Sequence, residues 1–599
     1  MRPQPADTRI AAALLPFFGR LATATVAICA GLAALVLYRA RWSDVQQLNA
    51  IFPYYHWKIN VFFPDQLLMA WRLLAGLSLS SGLLFALFSL YKRPSPLLSW
   101  ASSNGRSLRQ LLTARQQQIA SAVLLGLTVL RFVMSLPAVT PAYDDAASYA
   151  LFVSRGILAV ASYYPLPNNH VLSNGLDWLF FQVNPGFWWT MRLPVVLAAT
   201  LSTGLLLRGL LRASVPFRPA LLCVGLFSLS QLSLYHATVG RGYWLLTLGA
   251  LLVFFSTQEL SLPTPTRPPE VGWREWVIGG LIGTYAVPTF VLVLLSAGSW
   301  LGLRAAHRRD PALALRLGLA TAVIGAGSLL LYAPLLLVSG WGKLVGNGFV
   351  APLPWADFAH GLPRYLWETE GFLAGQVKAG AILSLLVLGA TLWQWRRAVP
   401  GTPTNTLREL WPRLIPISLW FLAAPYLLLL LQRVFAPPRT LFYKSFLFYL
   451  LAALVVESLL RGQRFPKLRR AGLLALGLVW LTYQLSSLVR DNAMPRQHNA
   501  AYHQAYVWLA GRPPGLALVP EPTHGIFLTL YFHSESPGRS WQTDGLPQRR
   551  HRYAYVIAFP NRRGFFQPQF PFPPAFHNSE VDIYTVPPGY VFDGQPWMH

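Results

Sequence analysis

Asp144 and Asp145 stand side by side seven residues after an apolar run, 118–137, in a chain that is 54% hydrophobic. A carboxylate at the edge of a bilayer is costly to desolvate, so a functional role is the default there. Such a group can act as a general base on a hydroxyl if it comes within hydrogen-bond reach of the proton it takes. The plain alternative is structural: two acids in the first turn of a surface helix favour the helix dipole. Capping and catalysis are compatible uses.

The stretch 144–161 is helix-prone, and helical spacing puts Asp144, Ser148 and Arg155 on one face with apolar residues opposite. This suits a helix lying in the membrane interface. The chain then reads Tyr163-Tyr164-Pro165-Leu166-Pro167-Asn168-Asn169-His170. The prolines stop the first helix and hold an extended turn. A second helix is expected to start near Asn168 or Asn169, which are good capping residues. His170, Ser173, Asn174 and Asp177 then share a polar stripe, spaced by three and four. Such a stripe either faces headgroup water or lines a polar cavity. A divalent metal on Asp144, Asp145 and His170 is a further alternative, although the spacing matches no compact ligand motif.

Cations recur at the same expected level. Arg241-Gly242-Tyr243 lies between two apolar runs, Arg433 and Arg439 flank Pro437-Pro438, and Lys444 opens the next run. Each alone is compatible with snorkelling to lipid phosphates. A group of them facing a carboxylate pair suits an anionic donor whose phosphate leaves.

The elements that must position these groups are membrane helices. Only 12% of the 599 residues are charged, against about a quarter in soluble domains. About thirteen apolar runs approach or reach bilayer-spanning length: 20–38, 66–90, 118–137, 192–208, 219–236, 242–257, 276–287, 288–303, 315–338, 378–395, 414–432, 442–460 and 470–488. Pro288 divides two of them, which read as one kinked helix, a re-entrant pair or two spans. The first run, ~18 residues long, suits an anchor better than a cleaved signal peptide. Cys29 and Cys223 both fall in such runs and form no disulfide framework.

The net charge of +27 is not a nucleic-acid footprint, because it sits in alternate short loops. One holds Lys92, Arg93, Arg106, Arg109 and Arg115; the next Arg208, Arg212 and Arg218; then Arg304, Arg308 and Arg309; then Arg396, Arg397, Arg408 and Arg413; and last Arg461, Arg464, Lys467, Arg469 and Arg470. Basic short loops stay in the cytoplasm. That places the N-terminus inside, the C-terminus outside, and the loop 138–191 with both aspartates on the external face. The expected organisation is a two-span N-terminal extension (1–117), a membrane body (118–488) and an external C-terminal domain (489–599). This last domain is small and mixed α/β, with strand-like runs at 514–519, 526–532, 553–559 and 581–586.

These features together resemble the GT-C superfamily of polytopic glycosyltransferases, in the branch of the protein O-mannosyltransferases and lipid A aminoarabinose transferases (glycosyltransferase family 39). Asp144-Asp145-Ala146, the Tyr164–His170 stretch with its helix, Arg192-Leu193-Pro194, Arg241-Gly242-Tyr243, the break at Pro288 and Pro438-Arg439 carry the resemblance, which covers 118–488. A Pro-Pro-Leu-Tyr-like run of the family is replaced by Pro167-Asn168-Asn169-His170.

The resemblance implies an α-helical polytopic membrane enzyme of the bacterial inner membrane. It would move a sugar, with inversion, from a polyprenyl-phosphate donor to a hydroxyl of a lipid, glycan or protein acceptor. Asp144 would be the base, with Asp145 orienting the acceptor or holding a metal. Arg241, Arg439 and Lys444 would meet the departing phosphate, and Asn169, His170, Asn174 and Tyr243 would contact substrate. The physical logic also holds without the family, since a polyprenyl tail partitions into lipid and leaves its phosphate at the interface. A transporter or flippase of a lipid-linked saccharide is the alternative. It fits less well, because transporter sites sit near the midplane and these polar residues sit at the external edge. A noncatalytic scaffold leaves the acidic pair without a use.

Overall fold

The computed structural model describes residues 6–51, 59–61, 63–91, 108–135, 140–165, 168–265, 267–346, 351–375, 379–397, 410, 413–461, 466–537, 541–548, 551–560 and 573–590. Lys92, Arg93, Arg106, Arg408, Arg464, Leu166 and Pro167, named above, lie outside the described residues.

Over the described residues, each of the thirteen apolar runs lies mainly on helix. Among the described residues, nine helices are long and apolar enough to cross a membrane. Phe217–Leu229 and Gly380–Gln394 are apolar but shorter. Pro269–Ala286 carries Glu270, Arg274 and Glu275, which lowers its hydropathy below that of the nine. Leu193–Arg212 packs against Tyr243–Leu260, and Tyr243–Leu260 against Pro269–Ala286. Phe227, Trp244, Phe254 and Phe442 fill the space between helices with offset and edge-on ring contacts. Close packing of this kind holds helices together where lipid removes the hydrophobic drive.

The break at Pro288 resolves as a hairpin. Pro269–Ala286 ends at an extended Val287, Pro288–Phe290 makes a short 3-10 turn, and Val291–Arg308 follows. Arg308, at the far end, donates to the carbonyls of Ser261 and Leu262, just before the first helix begins. Both outer ends therefore lie at one level and the proline turn at the other.

The C-terminal region folds as helix Ala493–Ala510, helix Pro522–Glu535 and a five-stranded sheet. The strands are β1 (Leu516–Leu518), β2 (Gln542–Asp544), β3 (Tyr555–Ala558), β4 (Phe576–His577) and β5 (Asp582–Thr585), in the order β2-β1-β3-β5-β4. β1 runs parallel to β2 and β3, with Leu516 opposite Gln542 and Leu518 opposite Val556; β5 is antiparallel to β3 and β4. The run 526–532, expected as strand, is helical instead. Pro522 opens that helix, and Ile526 through Phe532 are all buried. A segment buried all round loses the periodicity that separates helix from strand. One side of it packs on the helix Tyr143–Leu151, which starts with the two aspartates.

Candidate functional site

Asp144 and Asp145 lie in the first turn of Tyr143–Leu151, whose preceding residue, Ala142, has no capping side chain. The helix is shorter than the expected 144–161. It gives way to a 3-10 turn at Val153–Arg155 and restarts at Ile157 after Gly156, whose φ of 96° favours glycine. That break takes Arg155 off the predicted face; its Nε donates to the Ala150 carbonyl instead. Nor does the helix lie exposed in an interface, because Ala146 through Leu151 are buried, with Pro522–Glu535 packed on it.

The adjacent aspartates have separate environments. Asp145 is 0% exposed, and its carboxylate meets Arg192 at 3.0 Å. Burial pushes its pKa up, against the pull of Arg192 and Arg241. Asp144 is 34% exposed and faces two guanidinium groups, Arg439 at 3.5 Å and Arg241 at 3.9 Å. It opens into a cavity of about 720 Å³ that Tyr164, Asn168, His170, Arg241, Tyr243 and Arg439 also line. Val287, Pro288 and Leu292 of the hairpin, with Leu429 and Val434, add an apolar wall.

Arg241 is the hub. It is buried, and one of its amino groups donates to Ser148 Oγ at 3.0 Å and to the Asn168 carbonyl at 2.9 Å. The other stands 3.1 Å from Nε2 of His170. The Gly242 amide donates to Nδ1 of the same ring at 3.0 Å. The Gly242 amide makes Nδ1 the acceptor, so in the neutral ring Nε2 carries the hydrogen. Burial first, then Arg241, Arg439 and His236, hold its pKa well below 6.5. Tyr243 meets the ring edge-on at 5.1 Å. Gly242 permits this approach, since a Cβ there would lie 2.9 Å from His170 Nδ1 and 3.1 Å from the Ala286 carbonyl. Gly242→Ala is therefore expected to cost about 1–3 kcal/mol, read as a lower thermal midpoint. An unchanged midpoint would contradict this packing.

Three expected substrate contacts fall elsewhere. Asn169 is not a cap; its amide donates to the carbonyls of Val160 and Tyr163 at 2.8 and 2.9 Å and accepts from Asn174 at 2.8 Å. His170 occupies the position before the helix Val171–Phe181. Asn169 and Asn174 thereby brace the loop, and neither lines the cavity, whereas the neighbouring Asn168 does. The stripe of Ser173, Asn174 and Asp177 is buried and so faces no headgroup water. Burial pushes Asp177 well above the usual carboxylate range. Lys444 is 0% exposed and bonded to Glu370 at 2.9 Å, with its ammonium 3.5 Å from the Tyr426 ring centre. It does not line the cavity. Burial opposes the charge of Glu370, but Lys444 and the Tyr426 hydroxyl win and hold its pKa down.

Sequence reasoning missed Arg192 as the partner of Asp145, although a cation opening the span after an acidic loop is the counter-ion such a site requires. It also missed Glu370, whose distance in sequence from Lys444 hid the pair. The metal alternative does not fit. Asp145 is turned to Arg192, both His170 nitrogens face donors, and among the described residues no group of three His, Cys, Asp or Glu side chains is placed to hold an ion.

Among solved structures, the chain is similar to the crystal structure of ArnT from Cupriavidus metallidurans in the apo state. The TM-score is 0.52 at 13% identity, over 78% of this chain and 98% of that one. The two share a fold. The ArnT structure bound to undecaprenyl phosphate matches alike, with a TM-score of 0.51 at 12% identity, over 78% and 97% of the two chains. No protein-family model matches the sequence, and neither does any curated protein. The shared fold agrees with the α-helical polytopic membrane architecture expected from the sequence.

Proposed function

We propose that this protein is an integral membrane glycosyltransferase that takes a sugar from a polyprenyl-phosphate donor and passes it to an acceptor hydroxyl. The observation that carries the proposal is the partly exposed Asp144 carboxylate, set in a cavity with two arginines and an apolar wall. A solved structure of the same fold holds undecaprenyl phosphate, which supports the donor class. The loop charges support an inner-membrane location, with the cavity on the external face and the C-terminal region beside it.

The reaction is a single displacement with inversion. The acceptor hydroxyl attacks the anomeric carbon and its proton passes to Asp144. The bond from that carbon to the phosphate oxygen breaks, and the polyprenyl phosphate leaves with the electron pair. Arg439 and Arg241 stabilise the charge that develops on it. Arg439 is 47% exposed and 3.5 Å from Asp144. A pair so open to water contributes about 0–1 kcal/mol, so Arg439 can exchange the carboxylate for a phosphate at little cost. Asp145 and Asn169 are positioning residues: one fixes the helix start, the other the loop that carries His170.

The direct test is transfer of radiolabelled sugar from synthetic polyprenyl-phosphate donors by the purified protein with membrane acceptors. Absence of transfer across several donors, with labelled lipid crossing vesicle bilayers instead, would replace the transferase by a flippase. Arg439→Ala is expected to raise the donor KM about 10–100-fold, the worth of a hydrogen bond to a charged group. A change in stability alone would reduce Arg439 to a snorkelling side chain.

A further inference from the structure

A second polar cavity lies at the other end of the helices that carry the site. Leu193–Arg212 follows Arg192, the partner of Asp145, and ends about 30 Å away by helical rise at Arg208 and Arg212. Tyr243–Leu260 begins beside His170 and ends at Glu259 after a similar length. Between these far ends is a cavity of about 340 Å³ lined by Arg208, Arg212, Arg267, Glu259 and Glu275. Leu252 and Phe255 close its inner wall.

Loop arginines that only set topology need no enclosure, since their count alone orients the chain. Here they enclose a space. Arg267 bonds Glu275 at 3.0 Å through its side chain, and its amide donates to Glu259 at 3.1 Å. Arg267 thus reaches both carboxylates, and three arginines against two glutamates leave a net positive charge around the cavity. Guanidinium forks match phosphate oxygens geometrically. Basic pockets between membrane helices on this side suit phospholipid headgroups, and the apolar inner wall suits the chain that such a headgroup carries.

We propose that this cavity binds a phosphate group, supplied by the headgroup of an anionic membrane lipid or by phosphate free in solution. The apolar wall favours the lipid.

The test is native mass spectrometry of the full-length protein in detergent, titrated separately with phosphatidylglycerol, phosphatidylcholine and inorganic phosphate. Phosphatidylglycerol should bind about tenfold tighter than phosphatidylcholine, and Arg208→Ala/Arg212→Ala should lose about tenfold in affinity. Glu275→Gln, which adds net positive charge, should bind several-fold tighter. Glu368→Gln, which removes a carboxylate away from both cavities, should bind as wild type. Displacement of the lipid by millimolar inorganic phosphate would identify free phosphate as the ligand, and resistance to it would identify the lipid. Equal binding of the two lipids with no binding of inorganic phosphate, or wild-type affinity in the double arginine variant, would overturn the site. If that variant does not fold, the Glu275→Gln arm decides, and an unchanged affinity there overturns it.

Discussion

Asp144→Asn is expected to lower sugar transfer about 10²–10⁴-fold, the usual worth of a positioned general base, while donor binding and thermal stability stay near wild type. The amide is isosteric, so the helix start and the loop are undisturbed. The side chain is 34% exposed, and its ion pairs are the long ones, 3.5 and 3.9 Å, so their loss costs little stability. What disappears is the acceptor for the hydroxyl proton. The measurement is single-turnover transfer beside donor affinity, both on protein whose unfolding midpoint has been checked. Near-normal turnover would remove Asp144 as the base. A loss of turnover matched by an equal loss of donor affinity would point to a binding role instead. Asp145 is a poor substitute base, because it is fully buried against Arg192.

Much of this site was legible because its signals are local and chemical. An acidic pair after an apolar run, an Arg-Gly-Tyr between spans and a Pro-Arg before the next each mark a position at one membrane edge, and the structure gathers Asp144, His170, Arg241, Tyr243 and Arg439 around one cavity. The rest depends on side-chain direction and long-range pairing. Asn168 and Asn169 are adjacent and chemically alike, yet only the first faces the cavity, because the second is turned to the carbonyls of Val160 and Tyr163. Lys444 reads as a phosphate contact until Glu370, 74 residues earlier, is found beside it. Gly156 was the overlooked signal for the broken helix, since its positive φ ends what helical spacing alone would continue. The fold was readable for the same reason in reverse. Apolar runs report membrane helices directly, whereas Ile526–Phe532, buried all round, offers no period to read.

The largest effect on stability is expected at the pair below the site. Asp145→Asn removes the carboxylate charge facing the buried Arg192, and Arg192→Met leaves Asp145 with only the weaker pull of Arg241. Breaking a buried pair in this way costs about 3–5 kcal/mol. The intact pair contributes far less than that. Burial pushes the Asp145 pKa up against the pull of Arg192, so desolvation consumes much of the attraction. The double variant Asp145→Asn/Arg192→Met should therefore recover most of the loss of either single change, helped by the Phe187 ring 5.0 Å from the guanidinium position. Thermal unfolding of the four proteins in one detergent measures the coupling, and additive losses would mean that the two residues do not act as a pair. Turnover separates the roles further. If the pair only fixes the start of the Asp144 helix, the double variant should regain activity along with stability. A stable double variant that stays inactive would give Asp145 a place in the chemistry itself.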